Sequence, residues 1–253
     1  MDTVKWLLQP AGWSHNKGDP GFSDQRLADI QFAASLVSWS STGMTPRSTA
    51  RAALQTAALR IAAAQDADGS WQIELQNAVG TPATHGTSVA TYLAWHTLQA
   101  AAVTDPGRKL EPARLKAAAW LGGVRPVNVP AASVVLLFNV VKEDEVRHTR
   151  ANEALEFLRR AQTSDGGWGP YVDSPAEVYD TALALIALSK AGQRAAVGPL
   201  ISRGRSYLRS SQQPDGSWAA TTRPSGGRSY AQQMSTTGWA TQALLATKAE
   251  GAR

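Results

Sequence analysis

Apolar residues along this chain fall into two alternating kinds of helical segment. In one kind they recur every three or four positions among charged and polar residues, as Leu155 and Leu158 do beside Asn152 and Arg159. That is the pattern of an amphipathic helix lying at a surface. In the other kind charge nearly vanishes: residues 181–189 read TALALIALS and residues 237–246 read TGWATQALLA. A helix that is apolar all round is either buried or faces a cavity. The alternation predicts charged outer helices and alanine-rich inner helices, with the inner ones over 24–39, 85–102, 131–141, 176–190 and 233–248.

The joints between the two kinds repeat. The heptapeptides QDADGSW (Gln65 to Trp71), QTSDGGW (Gln162 to Trp168) and QQPDGSW (Gln212 to Trp218) each close a charged helix. A motif with its Asp-Gly pair and terminal Trp in constant register marks one structural unit copied along the chain. The gap between Trp71 and Trp168 is about twice the next, so a decayed copy is expected between them. RLKAAAWLGGV (Arg114 to Val124) fits it, and VKWLLQPAGW (Val4 to Trp13) fits a shortened first copy. The pattern predicts about five helix-hairpin repeats in a single domain spanning 1–253. In each turn, Asp-Gly supplies the reversal. The Gln is expected to bond carbonyls left open at its helix end, and the Trp to cover that amide and pack between units.

Composition narrows the functions available. The formal charge is +5, with a pI near 9.7, but the basic residues alternate with acids along the outer helices, so no nucleic-acid surface is predicted. The mildly basic rim leaves room for peripheral contact with anionic lipid. The chain has no cysteine, which suits a reducing compartment and removes thiolate chemistry and cysteine-bound zinc. No charged-then-apolar leader opens it, and the apolar run 129–141 is interrupted by Ser133 and Asn139. The expectation is a cytoplasmic protein that does not span a membrane. The dense acidic run Glu143-Asp144-Glu145 is read as a solvated turn rather than a metal cluster, and neither metal nor cofactor is expected.

The Gln-x-x-Asp-Gly-(Ser/Gly)-Trp unit resembles the QW repeat of the squalene-hopene cyclase and prenyltransferase α-toroid superfamily. The resemblance implies an all-α fold, an α/α toroid with inner and outer helix rings around an apolar cavity that takes isoprenoid chains. In the cyclases of that superfamily the proton donor lies in an Asp-x-Asp-Asp-Thr-Ala motif that opens an inner helix. Here the same place reads Glu177-Val178-Tyr179-Asp180-Thr181-Ala182. Glu177 stands for the first Asp and Asp180 for the last, while Tyr179 replaces the central, proton-giving one. A phenol of pKa about 10 is roughly 6 units, or about 8 kcal/mol, weaker as a donor than a carboxylic acid.

Glu177 and Asp180 share one helix face at i and i+3 and are the next candidates for an acid. Their bland alternative is that Glu177 caps the helix start and Asp180 bonds a neighbouring unit. Aligning the inner helices on Thr181 puts His85 and Ser235 in the register of Tyr179, so His85, Tyr179 and Ser235 are expected to converge. Tyr92, Trp95 and Trp239 are the aromatics of inner helices that would line an isoprenoid site by cation-π contact, with core packing as their plainer role.

Two functional classes follow. One is a toroid with its cyclase acid lost, binding an isoprenoid-like ligand or a partner protein. The other is a divergent class II terpene cyclase using Glu177, Asp180 or His85. A helical-barrel polysaccharide lyase or hydrolase is a further alternative, although it needs acids paired across a cavity. The last inner helix, with Met234, Trp239 and Leu244, is not polar on its outer side, so either ring closure or a homodimer is expected.

Overall fold

The computed structural model describes residues 2–15, 25–40, 43–44, 46–73, 79–105, 107–140, 145–191, 194–223 and 230–248. Asp24, Val141, Glu143 and Asp144, at the ends of expected helices or in the acidic run, lie outside them. Among the described residues every element is helical. In order these are α1 (Asp2–Leu7), a 3-10 turn (Pro10–His15), α2 (Gln25–Ser40), α3 (Arg47–Ala63), α4 (Gly86–Ala102), α5 (Glu111–Gly123), α6 (Val129–Asn139), α7 (Glu145–Ala161), α8 (Val178–Lys190), α9 (Arg194–Ser210) and α10 (Tyr230–Ala246). Among the described residues β-bridges occur only singly, Gln162 to Trp168, Trp168 to Glu177 and Gln212 to Trp218. Among the described residues no helix is long and apolar enough to cross a membrane.

The helices divide into two compact units, Met1–Gln76 with Gly86–Gly123, and Asn77–His85 with Val124–Arg253. In the first, the charged α3 packs on α2 and α4, which pack on each other, and α5 covers α4. In the second, α7 covers α6 and α9 covers α8, while α8 lies against both α6 and α10. Each unit is thus two-layered, with amphipathic helices outside and charge-poor ones within, as the polarity pattern requires. All of α6 and nearly all of α8 are buried. By contrast α10 leaves Tyr230, Met234 and Leu245 exposed.

The repeated turn works differently from expectation. The helix-end carbonyl is taken by the Trp, not the Gln: the indole N–H groups of Trp71, Trp168 and Trp218 donate to the carbonyls of Ile61, Leu158 and Leu208, at 3.0, 2.7 and 2.8 Å. The Gln amides reach into the turn instead, donating to Gly69, Gly166 and Gly216. Gln65 and Gln162 donate a second bond to the following outer helix, at Ala113 and Leu200. Each Trp backbone N–H is accepted by a threonine hydroxyl on the next inner helix, Thr91, Thr181 or Thr237. Helix end, turn and inner helix are therefore tied through one residue. All three Trp side chains are essentially without solvent contact.

The decayed repeat lacks this clamp. There Asn128 caps α6, its side chain accepting from the Ala131 N–H at 2.8 Å, with Pro130 in the first turn. Such a cap supports a helix start on its own.

Turn glycines show how closely the first and second clamps dock on their neighbours. Gly69 and Gly166 have φ of +94° and +89°, and a Cβ there would lie 2.5 Å from the Lys116 carbonyl oxygen or 2.8 Å from that of Arg203. Gly216, φ +86°, faces open space, its nearest neighbour being the Gln212 amide at 4.0 Å.

Two stability predictions follow from this geometry. Trp168→Ala removes a fully buried indole and its hydrogen bond and should cost roughly 3–5 kcal/mol by chemical denaturation. Gly216→Ala should cost about 1–2 kcal/mol, the left-handed backbone penalty alone. Gly166→Ala should cost clearly more than Gly216→Ala, because the methyl also meets the α9 backbone. Equal losses at the two glycines would show that the turn does not dock on α9.

Candidate functional site

The start of α8 is set by the clamp at Trp168. The Trp168 N–H donates to Thr181 Oγ1 at 2.8 Å, that hydroxyl donates to the Trp168 carbonyl at 3.2 Å, and the Glu177 N–H donates to the same carbonyl at 2.8 Å. Glu177 is the N-cap residue by backbone, φ −127° and ψ 148°, but its side chain makes no capping bond. The capping role considered for its carboxylate is therefore corrected. The carboxylate accepts instead from Arg223 Nη2 at 2.8 Å, and the same guanidinium donates to Asp180 Oδ2 and, through Nη1, to the Gly80 carbonyl.

Tyr179 points into a closed aromatic corner and is fully buried. Its ring meets Trp239 edge-on, with centroids 5.9 Å apart, and runs nearly parallel to His85 at 6.3 Å. His85 also meets Trp239 edge-on at 5.4 Å. The Tyr179 hydroxyl is 3.5 Å from His85 Nδ1, at the long limit of a hydrogen bond. The Tyr179 backbone N–H donates to Thr221 Oγ1, whose own N–H donates to Thr236 Oγ1. Ser235 Oγ donates to the Pro82 carbonyl. Tyr179, His85 and Trp239 are thus brought together in the second unit, with Ser235 holding the segment that carries His85.

The route by which His85 arrives differs from the sequence alignment. The threonine that accepts the Trp N–H is Thr91 in α4, Thr181 in α8 and Thr237 in α10. In that register Ser235 does match Tyr179, but the α4 position is Val89, one helical turn on from His85. His85 reaches the corner from the segment before α4, held with φ +62° and with its N–H donating to the Thr81 carbonyl at 2.7 Å. A non-glycine residue in that conformation costs on the order of 1–3 kcal/mol, which surrounding contacts must offset.

Tyr92 and Trp95 lie on α4 in the first unit, their ring centroids 5.9 Å apart, with His96 stacked on Tyr92 at 6.0 Å. Burial pushes the Tyr92 phenol up to about 12. Arg223, Thr221 and the clamp threonines carry much of the geometry and were missed in the sequence. The available signal was an arginine standing alone in the uncharged stretch AATTRPSGG after the third repeat.

The electrostatics follow from burial. Burial holds the Asp180 carboxyl up at about 8; Arg223 pulls it down, and the neighbouring Glu177 charge and hydrogen bond push it up. Burial also pushes His85 down to about 4, against the raising influence of its bond with Thr81. At neutral pH burial therefore keeps the His85 imidazole neutral and favours the protonated form of Asp180. Asp180 Oδ1 and Arg223 Nε find no hydrogen-bond partner among the described residues. Also among the described residues, no group of three or more His, Cys, Asp or Glu side chains could hold a metal ion.

These shifts have opposite signs in stability. His85, lowered in the fold, contributes stability that is present above about 6.5 and lost as pH falls through about 4. Asp180, raised in the fold, contributes stability that is full below about 3.8 and lost as pH rises through about 8. Thermal melting of the native chain should therefore change little across the acid range, where the two effects oppose, and decline between about pH 6.5 and 8. Asp180→Asn should remove that decline, and His85→Phe should leave a chain that becomes steadily more stable on acidification toward pH 4. The same pH profile in all three proteins would refute both assignments.

Comparisons with known proteins agree with this architecture. Residues 125–252 match the family model described as the squalene-hopene cyclase C-terminal domain. Over 104 residues the chain is 36% identical to a drimenyl diphosphate synthase of Streptomyces showdoensis, covering 40% of this chain and 19% of that protein. The match thus spans about a fifth of that relative's length. Among solved structures, the type II terpene cyclase MstE from Scytonema superposes with a TM-score of 0.54 at 20% identity, over 99% of this chain and 76% of that one. That likeness concerns the fold, and it fits the all-α, α/α-toroid class expected from the repeats. With just over half of the chain matched by the family model, the chain belongs to the squalene-hopene cyclase C-terminal domain family.

Proposed function

We propose that this chain binds an isoprenoid-like ligand as a member of the terpene-cyclase family that no longer starts cyclisation by protonation at the family's acid position. The observation that supports this reading is the complete burial of Tyr179 against His85 and Trp239. A cyclising acid must meet the alkene or epoxide it protonates, whereas this phenol is packed among aromatic rings. It is also a weak donor, about 8 kcal/mol short of a carboxylic acid by the difference in ordinary pKa. His85, pushed down to about 4, holds almost no proton to give at neutral pH.

A second reading is favoured by one observation. Burial raises the Asp180 carboxyl to about 8, which favours its protonated form at neutral pH, and its Oδ1 has no hydrogen-bond partner among the described residues. A neutral carboxylic acid in a buried setting is a recognised form of catalytic acid, so in this reading Asp180, with Glu177 beside it, takes over from the lost aspartate. The raised pKa argues against it, since holding the proton more tightly makes a poorer donor to a hydrocarbon.

The two readings separate by experiment. Purified protein should bind squalene, farnesyl diphosphate or geranylgeranyl diphosphate, detected by native mass spectrometry, and return each unchanged on long incubation. Turnover by the native chain that disappears in Asp180→Asn and persists in Tyr179→Phe would replace the binding reading with the enzymatic one. Neither binding nor turnover with any of the three would remove both.

A further inference from the structure

The guanidinium of Arg223 meets two separate segments and ties them to its own. Nη1 donates to the Gly80 carbonyl in the segment that carries His85, while Nη2 donates to Glu177 Oε2 and to Asp180 Oδ2 at the start of α8. Arg223 itself belongs to the strap after the Trp218 turn, whose Thr221 accepts the Tyr179 backbone N–H. Its guanidinium carbon lies 5.9 Å from the centre of the Tyr179 ring. Its side chain is 15% exposed and that of Asp180 wholly buried. One planar fork with several fixed donors is suited to such a junction, which an ammonium cannot reproduce.

Few other charges face the carboxyl pair. Of the helices packed on α8, α6 and α10 carry no Asp, Glu, Lys, Arg or His, and the one tyrosine of α10, Tyr230, is exposed. From α9, Tyr207 is close enough to feel both Glu177 and Asp180, and its hydroxyl donates to the Ala176 carbonyl. Of the α9 arginines, Arg203 donates to the Thr163 carbonyl and Arg205 to Leu244 and Thr247. From the 79–85 segment comes His85, neutral at the pH of interest. Arg223 is thus the cation in contact with the pair.

We propose that Arg223 is the positioning residue of this site: one guanidinium braces the His85 segment and the Thr221 strap against the first turn of α8, and its charge acts on the Asp180 carboxyl beside it. The aromatic corner of Tyr179, His85 and Trp239 keeps its shape because these segments are joined at Arg223. The proposal rests on the ligand-site reading only in calling this corner the site, and its test needs no ligand.

The test compares the native chain with Arg223→Gln and Arg223→Lys by thermal melting from pH 4 to 10 and by amide hydrogen exchange. Arg223 lowers the proton affinity of Asp180. Removing the charge should therefore carry the loss of stability with rising pH beyond pH 8, moving its midpoint up by about one unit or more. Arg223→Lys keeps the charge and should hold the midpoint within about half a unit of native. Both variants should exchange amides in 79–85 at least about tenfold faster, since neither side chain spans the three segments. A melting temperature lowered equally at every pH would overturn the electrostatic half of the proposal. Unchanged exchange in 79–85 would overturn the brace. Should Arg223→Gln fail to fold, Arg223→Lys decides the brace by exchange, and a midpoint displaced by a full unit despite the retained charge overturns the electrostatic half. Failure of these same samples to bind isoprenoids would count against the ligand reading and leave the role of Arg223 standing.

Discussion

Everything at the candidate site hangs from the indole of Trp168. Its N–H takes the Leu158 carbonyl at the end of α7, its backbone N–H takes the Thr181 hydroxyl at the start of α8, and its ring lies where a side chain at Gly204 of α9 would collide with it. Three helices are placed by one residue that has no solvent exposure. An unpaired donor or acceptor in such a position would cost about 1–3 kcal/mol, so the bonds specify the geometry more than they add stability. Because Tyr179 and Asp180 immediately precede Thr181, fixing the threonine fixes them. The same device at Trp71 and Trp218 sets α4 and α10, which is how one short motif propagates a fold.

What the clamp presents at α8 is a balance of costs. Two carboxyls and a guanidinium are taken largely out of water, an arrangement that does not stabilise a fold by itself and punishes loss of either sign of charge. His85 sits in a strained backbone conformation with its imidazole held neutral. A protein tolerates such features where surrounding packing over-determines them, and they cluster at sites that do something. Here they surround the position where related cyclases keep their acid, and the residue there is a buried phenol. On the proposed reading, an aromatic ring in place of a carboxyl makes this position a packing element. Burial favours the protonated form of the neighbouring carboxyl, with Arg223 limiting how far that goes.

Much of the fold was legible because its signal is local and repeated. The alternation of charged and uncharged helical segments placed every inner helix to within a few residues, and the three copies of the heptapeptide marked where outer helix gives way to inner. Burial of Trp71, Trp168 and Trp218 followed from residue type alone. The division of labour within the turn did not, since Gln and Trp both carry N–H donors and only the backbone path shows that the indole reaches the helix-end carbonyl.

The site separated along the same line. The order Glu177-Val178-Tyr179-Asp180-Thr181-Ala182 already put a tyrosine where the motif it resembles has its central acid, because that is a matter of which side chain stands at one position of a local motif. That His85 would face Tyr179 was expected on a register that the threonine bonds correct by one helical turn; it comes instead from a left-handed residue ahead of α4, a placement no helical periodicity encodes. Arg223 was invisible for a related reason. It lies well over a hundred residues from Gly80 and more than forty from Asp180, and a contact across that distance is set by how repeats stack. Sequence by itself determined the repeat, the helical layers and the tyrosine within the motif at 177–182, which depend on neighbours along the chain. Tertiary structure alone decided which charge meets the carboxyl pair and which rings close on the phenol, because those depend on neighbours in space.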